Sequence, residues 1–459
     1  MVTDLSRRAF MQRASALSIA GAATPFVLNL AAIGEAAAAT ASDYKAIVCV
    51  FLYGGNDYAN TLIPADSANY ALYNAQRSAL AYSQSALGPT TLAPTTALAG
   101  GRTYALAPEL APLMPIFNAG KMAVVLNVGT LIQPTSKAQY NAKSVPLPPK
   151  LLSHNDQQSF WQSSSAEGAP SGWGGRIGDL FQAGNTNPSL TCINPSGNAV
   201  FLSGKTAVQY SITTSGPIAL TARTSLQGSA AAATALKSLI TTPVNHLMET
   251  ELAKVTTRSL NLYDLVTNAL TAAPTTNTVF PAAADASSTL GLQLKEVARL
   301  ISVSSQLGAK RQVFFVSSGS FDTHDGLTSV HPRLMTNLAD ALRAFYDTTV
   351  ELGVANQVTT FTASDFGRAL TANNDGSDHG WGSMHFVLGG AVRGKAYYGT
   401  PPVVANNGPD DIGQGRLIPT TSVDQYAATL ASWFGVSATD MPTVLPNIGN
   451  YSTTNLGFV

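Results

Sequence analysis

The sequence contains few cysteines and few charged residues. Only Cys49 and Cys192 occur in 459 residues, which is too few for a disulfide framework. Cys49 lies in an apolar run, which predicts a buried thiol; a Cys49–Cys192 bridge formed after export remains the alternative. Charged residues make up 11% of the chain, against about 25% in an average globular protein. Uncharged Ser, Thr, Asn and Gln side chains must therefore cover much of the surface.

Several catalytic signatures are also missing. The sequence has no P-loop, no GxGxxG after a predicted strand, no HExxH and no GxSxG. These absences argue against a P-loop nucleotide site, a dinucleotide fold, a zincin helix and a serine-hydrolase elbow. The 26 basic residues are balanced by 26 acidic ones, so the chain lacks the basic surface that nucleic acids or anionic membranes require.

The N-terminus has the pattern of a targeting segment. Arg7 and Arg8 precede an apolar stretch at 14–32, and small residues follow at 36–39. This order predicts a signal peptide over residues 1–39 that the twin-arginine translocase recognises, and hence a periplasmic or extracellular protein. An ordinary secretory signal and a membrane anchor are the alternatives. Ser, Thr, Pro and Asn interrupt the apolar stretch, which argues against a stable anchor.

The remainder, residues 40–459, is predicted to be a single α/β domain. Continuous apolar runs of strand length suit strands buried on both faces of a parallel sheet; they lie at 46–53, 122–128, 312–317 and 358–363. Helical patterns alternate with them at 106–118, 293–306, 333–352 and 423–434. This alternation predicts a doubly wound, mainly parallel sheet flanked by helices.

Two segments do not follow the alternation. Residues 66–100 are rich in Ala, Ser, Thr and Leu with few charges, which predicts a loop-rich excursion. Residues 183–290 are predicted to form an insertion or cap. Apolar runs at 199–202 and 219–223 suggest strands or a small cap, and helices are predicted over 230–270 with an interruption at Pro243. The cap is the part of the chain expected to carry specificity.

Carboxylates and imidazoles follow several of the predicted strands. Because the carboxyl ends of parallel strands meet at one edge of a sheet, these side chains are expected to converge there. Imidazole and carboxylate are ligands for divalent metals, and zinc, calcium, magnesium and manganese all remain open. The predicted metal ligands are Asp57, Asp322, His324, Asp365 and His379. The alternatives are structural: the aspartates would form turns or helix caps, and the histidines would bond to the backbone.

Three further residues are predicted to take part in catalysis. Ser153 is a candidate nucleophile or metal ligand, and His154 a candidate general base or transition-state donor. Arg368 is expected to stabilise the developing oxyanion charge, a role that suits its rigid guanidinium. The loop 364–383 that carries Arg368 also contains Asp378 beside His379 among several glycines. A carboxylate and an imidazole in a loop with several glycines are not typical of a hydrophobic core.

Taken together, the motifs resemble the DUF1501 family of exported bacterial proteins of undefined activity. The similar segments are the twin-arginine leader, FLYGGNDYANTLIP (51–64), SHNDQQSFWQ (153–162), GWGGRIGDL (172–180), FDTHDG (321–326) and SDFGRALTANNDGSDHGWGS (364–383). They span nearly the whole mature chain in order. The family is placed in the alkaline phosphatase/sulfatase-like superfamily, so the resemblance implies parallel strands flanked by helices with a metal-centred site at the strand ends.

The resemblance also implies roles for individual residues. Asp57 is similar to the superfamily's first-strand aspartate, His379 to its late histidine, and Ser153 to its nucleophile by chain order alone. Asp322 and His324 are similar to its Asp/His pair, although with a shorter spacing. Phe366 stands where the superfamily has a histidine next to Asp365, so one metal ligand is missing. Three consequences stay open: a single bound metal, replacement of the missing ligand by Asn56 or His154, or reduced catalysis.

These observations predict an exported, metal-dependent hydrolase of phosphate or sulfate esters acting on a small-molecule or glycan ester. The alternative is a non-catalytic exported protein that uses the same fold to bind a glycan or a cell-surface partner. The ligand missing at Phe366 and the uncharged surface favour that alternative. No nucleic-acid partner is expected under either hypothesis.

Overall fold

A computed structural model describes residues 43–283 and 288–459. The predicted signal peptide, residues 1–39, lies outside the described residues. The strands are β1 (Lys45–Leu52), β2 (Leu62–Pro64), β3 (Tyr104–Leu106), β4 (Met122–Gly129), β5 (Cys192–Asn194), β6 (Tyr210–Thr213), β7 (Gly216–Pro217), β8 (Arg311–Ser318), β9 (Val358–Ser364), β10 (Arg368–Ala372), β11 (Ser377–His379), β12 (Ser383–Gly389), β13 (Ala396–Tyr398) and β14 (Thr421–Ser422).

Helices separate most of these strands. They are α1 (Ser67–Arg77), α2 (Met114–Asn118), α3 (Lys137–Ala142), α4 (His154–Ser163), α5 (Trp173–Phe181), α6 (Ala230–Thr241), α7 (Leu247–Thr271), α8 (Leu290–Ser302), α9 (Leu327–Glu351), α10 (Val423–Phe434) and α11 (Met441–Val444). Within the described ranges, none of the helices combines the length and the apolar character needed to cross a membrane.

The central sheet is mainly parallel. Its strand order is β13-β4-β12-β9-β1-β8-β5-β6-β7, and β14 also pairs with β4. Strand β12 runs antiparallel to both of its neighbours, and β7 runs antiparallel to β6. Strands β8 and β9 flank β1 and are parallel to it, so their carboxyl ends lie at the same edge of the sheet. The predicted α/β class, a mainly parallel sheet flanked by helices, is confirmed.

Helices cover both faces of the sheet. In β1, Val48 and Val50 belong to a core formed with α8 and α9, whereas Cys49 and Phe51 belong to a second core formed with α5 and α10. This alternation follows from the two-residue period of a strand, and burial of both faces explains the unbroken apolar run. Both cysteines are buried and free, so the alternative of a Cys49–Cys192 bridge does not hold in this structure.

Most predicted elements are confirmed, and the misses have clear causes. The four apolar runs are β1, β4, β8 and β9, and the pattern at 423–434 is α10. The predicted helix at 106–118 is wrong: a 3-10 segment, Pro108–Leu113, precedes the short helix α2. Pro112 and Pro115 each remove a backbone donor that a longer helix would need. The strands suggested at 199–202 and 219–223 are not formed either, since Val200–Leu202 is a 3-10 turn and 219–223 has no strand.

The two segments outside the alternation contain more regular structure than expected. Residues 66–100 begin with the helix α1, which is capped by the side chain of Asp66. In the segment 183–290, strands β5 and β6 extend the central sheet, and α6 and α7 flank the interruption at Pro243. Helix α7 packs Leu262 and Val266 into the core that also contains α8 and α9.

Candidate metal centre

Four side chains from three parts of the chain meet beside the carboxyl ends of β8 and β9. His154 is the first residue of α4, Asp322 and His324 follow β8, and His379 ends β11. We call these four residues the imidazole cluster. His154, Asp322 and His379 offer ligand atoms that all lie within 4.8 Å of one another, close enough to hold a metal ion.

The distances within the imidazole cluster are short. Asp322 Oδ1 lies 3.2 Å from His324 Nε2 and 3.2 Å from His379 Nε2. Asp322 Oδ2 lies 3.4 Å from His154 Nε2, and the Nε2 atoms of His324 and His379 are 2.9 Å apart. The predicted ligands Asp322, His324 and His379 are therefore brought together, and His154, predicted as a catalyst, joins them.

Hydrogen bonds on the far side fix two of the imidazole rings. His379 Nδ1 lies 2.7 Å from the carbonyl oxygen of Leu152. A carbonyl only accepts, so Nδ1 carries the proton and Nε2 of the neutral ring keeps its lone pair. His154 Nδ1 likewise lies 2.7 Å from Asp365 Oδ2. Among the described residues, His154 Nε2 is buried without a hydrogen-bond partner. Both rings thus direct Nε2 towards Asp322.

Asp365 lies behind His154 and does not face the open side of the cluster. Its side chain is fully buried. Besides His154, Oδ2 accepts hydrogen bonds from the backbone N–H of Gly54 at 3.1 Å and from Gln158 Nε2 at 2.8 Å. The structure therefore places this predicted ligand where it orients an imidazole.

Arg368 is held entirely by protein acceptors. Its side chain is fully buried, and Nη1 donates to Asp322 Oδ1 at 2.8 Å and to the carbonyl of Gly54 at 2.9 Å. Its Nε donates to the carbonyl of Ser377 at 2.9 Å. Arg368 therefore contacts the cluster through Asp322. Partial burial by itself would raise the pKa of Asp322, but the hydrogen bond and charge of Arg368 hold that pKa below its usual value.

The imidazoles of His154 and His379 have opposite protonation tendencies. The hydrogen bond to Asp365 raises the pKa of His154, against the effect of partial burial. Burial lowers the pKa of His379, and the nearby charges of His154 and Arg368 act in the same direction. One ring is therefore stabilised as a cation and the other as a neutral base.

Phe366 forms an apolar wall behind two of the imidazoles. Its ring centroid lies 4.9 Å from that of His154 and 4.7 Å from that of His379. The residue that replaces the histidine implied by the resemblance thus supports the rings that form the cluster. Gly54 allows the segments to approach, because a Cβ there would lie 2.3 Å from the backbone nitrogen of Asp322, and its φ is +114°.

Asp57 lies in a separate, sealed group. Its carboxylate is fully buried and forms an ion pair with the equally buried Arg77. It also accepts hydrogen bonds from the backbone N–H of Asn60 at 3.0 Å and from Ser377 Oγ at 2.7 Å. Burial by itself would raise the pKa of Asp57, but the charge of Arg77 holds it below its usual value. We call Asp57, Arg77, Ser377 and the neighbouring His331 the Asp57–Arg77 cluster.

Ser153 lies next to the imidazole cluster in sequence. It occupies the N-cap position of α4, but its side chain makes no capping hydrogen bond. Its Oγ instead donates to Asp156 Oδ2 at 3.1 Å. Asp156 is buried, and Lys150 Nζ lies 3.6 Å from the same oxygen. The hydroxyl is thus bonded to a carboxylate outside the cluster.

Sequence reasoning missed three residues that shape this region: Arg77, Ser377 and Arg416. Arg416 Nε donates to the carbonyl of His379 at 2.7 Å. The sequence carried one usable signal, because Asp66 and Arg77 are the only charged residues in the segment 66–100. An isolated arginine in such a segment is a candidate for a buried ion pair. Ser377 and Arg416 carried no comparable signal.

Solved structures that are similar to the chain include the following three, and each similarity is weak. Ps i-CgsB is 9% identical, with 88% of this chain and 77% of that chain covered and a TM-score of 0.36. Ps i-CgsB in complex with k-i-k-neocarrahexaose is 8% identical, with 88% and 77% covered and a TM-score of 0.35. The lipoteichoic acid synthase LtaP from Listeria monocytogenes is 8% identical, with 88% and 74% covered and a TM-score of 0.33. Similarities this weak carry no argument about the site or its activity.

No curated protein matches the chain. The family described as "Protein of unknown function (DUF1501)" matches residues 44–444, which include every residue of both clusters. This match confirms the family resemblance that the sequence motifs indicated. The chain belongs to the DUF1501 family.

Proposed function

We propose that this protein is an exported, metal-dependent hydrolase of phosphate or sulfate esters on an alkaline phosphatase-like fold. The observation that carries the proposal is the imidazole cluster, in which Asp322 lies within 3.4 Å of three imidazole nitrogens. Clusters of imidazole and carboxylate at the carboxyl edge of an α/β sheet are typical of metal-assisted hydrolysis.

The cluster fits a divalent metal. His154 Nε2 is buried and has no hydrogen-bond partner among the described residues, although an unsatisfied buried nitrogen is costly. The neighbouring donors have the chemistry of ligands, and Asp322 is half-exposed, which leaves the cluster open to solvent. A bound divalent metal supplies Lewis-acid polarisation of the ester oxygen and lowers the pKa of a bound water.

The protein's own groups would hold and orient this chemistry. Asp365 and the carbonyl of Leu152 fix the rings of His154 and His379. Arg368 holds Asp322 through a charge-assisted hydrogen bond. In this proposal Arg368 is a positioning residue, because its donors are already engaged by protein acceptors.

Ser153 remains the predicted nucleophile. To attack an ester, its hydroxyl must give up its hydrogen bond to Asp156 and turn towards the imidazole cluster. If a water attacks directly, Ser153 is dispensable. The variant Ser153→Ala distinguishes the two routes, because turnover falls by orders of magnitude only when Ser153 is the nucleophile.

Export is part of the same proposal. The adjacent Arg7 and Arg8 of the leader support recognition by the twin-arginine translocase and a periplasmic or extracellular location. That route carries folded proteins, which suits a protein that acquires its metal in the cytoplasm. The substrate class is a small-molecule or glycan ester, and neither a nucleic acid nor a membrane anchor enters the proposal.

The second candidate function is a non-catalytic binding protein. The ion pair between Asp57 and Arg77 favours it, because that pairing removes one ligand that the resemblance implies. On this hypothesis a glycan or cell-surface partner binds equally well with and without metal.

The test is turnover by the mature protein, residues 40–459, purified without chelator. Wild type, His379→Ala and the matched control His246→Ala are assayed on panels of phosphate and sulfate esters, and their metal content is measured by elemental mass spectrometry. His246 is an exposed histidine outside the cluster. The proposal expects turnover and metal in wild type and His246→Ala, with both lost in His379→Ala. Metal-independent binding of a glycan without any turnover would favour the second candidate.

A further inference from the structure

We propose that the site holds one ion per chain, of the zinc-like first-row transition metals, and that its ligands are Nε2 of His154, His324 and His379 together with Asp322. This inference rests on the proposed metal dependence and sharpens it. It assigns the number of ions, the chemical class of the ion and a ligand set that differs from the one the sequence predicted.

All three rings present Nε2 to the same carboxylate, that of Asp322. The Nδ1 atoms of His154 and His379 are each 2.7 Å from an acceptor, Asp365 and the carbonyl of Leu152, whereas His324 Nδ1 has a longer contact of 3.4 Å with Asp378 Oδ1. An acceptor on the far nitrogen is the usual companion of a metal-binding histidine, since it fixes the tautomer and the ring orientation. Two of the three rings around Asp322 are therefore already oriented as ligands, and His324 presents Nε2 to the same carboxylate from the more exposed side.

The distances between neighbouring donor atoms are close to those expected around one metal ion. Ligand atoms about 2.05 Å from one ion at the corners of a tetrahedron lie about 3.3 Å apart. The edges observed here are 2.9 Å for His324–His379, 3.2 Å for Asp322 to each of those rings, and 3.4 Å for Asp322–His154. His154, Asp322 and His379 already have ligand atoms that all lie within 4.8 Å of one another, whereas His324 lies outside that group and must move towards His154 to share the ion.

The chemical identity of the donor atoms indicates the class of metal ion. Three imidazole nitrogens and one carboxylate suit zinc, cobalt, nickel or iron, whereas magnesium and calcium prefer oxygen ligands. The solvent side of the cluster is formed by His324, 39% exposed, and Asp322, 44% exposed. A fifth position is thus accessible to a substrate oxygen, and zinc tolerates five ligands.

The number of ions follows from the two remaining carboxylates. Asp57 is neutralised by Arg77 and sealed from solvent, so a cation there would have to displace a guanidinium. Asp365 Oδ2 already accepts three hydrogen bonds, from Gly54, His154 and Gln158. The other oxygen, Oδ1, is buried and without a partner, and no second group of metal-ligand side chains is present among the described residues.

The experiment is a metal titration of the mature protein, residues 40–459, stripped with chelator and then dialysed. Zinc and cobalt are added singly and in competition with millimolar magnesium, calcium or manganese. Bound metal is counted by elemental mass spectrometry, and the visible ligand-field absorption of Co²⁺ reports its coordination number. The variants are His324→Ala and His154→Ala, with His246→Ala as the matched control.

We expect one zinc or cobalt per chain, a four- or five-coordinate Co²⁺ spectrum and no displacement by magnesium or calcium. His324→Ala and His154→Ala should each lose more than about 100-fold in affinity, because even an outer partner of a ligand is worth about 10–100-fold. His246→Ala should bind as wild type does. Because the wild-type stoichiometry and spectrum are informative by themselves, a variant that fails to fold leaves the test intact.

Two ions per chain, a six-coordinate Co²⁺ spectrum, preference for magnesium or calcium, or full affinity in His324→Ala would overturn the inference. Its failure can be told apart from that of the proposed function. One tightly bound zinc without ester turnover would support the inferred metal site and contradict the proposed hydrolase activity. Ester turnover that depends on magnesium or on two ions would support the hydrolase activity and contradict the inferred single zinc-like ion.

Discussion

The imidazole cluster and the Asp57–Arg77 cluster lie at the same edge of the sheet and contain similar types of residue. Each contains an aspartate that follows a central strand, Asp57 after β1 and Asp322 after β8. Arg368 connects them: it contacts Asp322 directly and Ser377 on its other side, and Ser377 donates to Asp57. One carboxylate is fully buried with a guanidinium, whereas the other is half-exposed among imidazoles.

The difference teaches how a strand-end carboxylate is assigned to structure or to chemistry. A buried carboxylate with a full complement of donors has no remaining capacity for a substrate or metal, and removing its counterion is costly. A half-exposed carboxylate beside imidazoles keeps lone pairs available. We therefore assign the Asp57–Arg77 cluster to stability and the imidazole cluster to ligand binding.

The largest effect that tests this assignment is expected for Arg77→Met. The change leaves Asp57 buried without its counterion, so the free energy of unfolding should fall by about 3–5 kcal/mol in urea denaturation. The double variant Asp57→Asn/Arg77→Met removes both charges and should lose less, with metal stoichiometry unchanged. A single variant within about 1 kcal/mol of wild type would show that the pair does not carry the stability assigned to it.

The second-largest expected effect is a loss of folding stability at acidic pH, and it arises in the Asp57–Arg77 cluster. Burial lowers the pKa of His331 to about 4, with Asp57 opposing that shift and Arg77 and Arg368 adding to it. The unfolded chain binds a proton near pH 6.5, so stability is lost as pH falls from about 6.5 towards 4, by up to about 3 kcal/mol.

The measurement for His331 is the pH dependence of unfolding in wild type and His331→Gln, both with chelator present. The variant keeps a donor for Asn56 Oδ1, which lies 3.2 Å from His331 Nε2 in wild type. In His331→Gln, the free energy of unfolding should fall less steeply between pH 6.5 and 4, because the contribution of His331 to that pH dependence is absent. Equal slopes in the two proteins would assign the acid lability to other groups.

How far the sequence predicts each cluster depends on the kind of signal its residues carry. The strands β1, β8 and β9 and the convergence of Asp322, His324 and His379 follow from apolar runs and chain order. Whether Asp57 faces a metal or a guanidinium depends on where α1 places Arg77, and no local pattern encodes that contact. The acceptors behind the imidazoles, Asp365 and the carbonyl of Leu152, likewise become visible only in three dimensions.

A smaller effect, on zinc affinity at the imidazole cluster, is expected for Asp365→Asn. The change weakens the hydrogen bond that orients His154 without removing a cluster residue. Zinc affinity in a competition titration should fall by about 10–100-fold. Asp378→Asn is the matched control, since Asp378 is partly exposed and lies 3.4 Å from His324 Nδ1, so its loss should cost less. Unchanged zinc affinity in Asp365→Asn would mean that the ring of His154 is held by packing on Phe366 alone.

The smallest effect is expected for His324→Ala in the absence of metal. His324 is 39% exposed and has no fully buried partner among its charged neighbours, so the free energy of unfolding with chelator should change by less than about 0.5 kcal/mol. With zinc at about 100 times its dissociation constant, wild type should gain about 2.7 kcal/mol, because the ion binds the folded chain only. The variant should not share that gain. If His324→Ala is strongly destabilised without metal, the imidazole cluster stabilises the fold, as the Asp57–Arg77 cluster does, and its assignment to ligand binding is wrong.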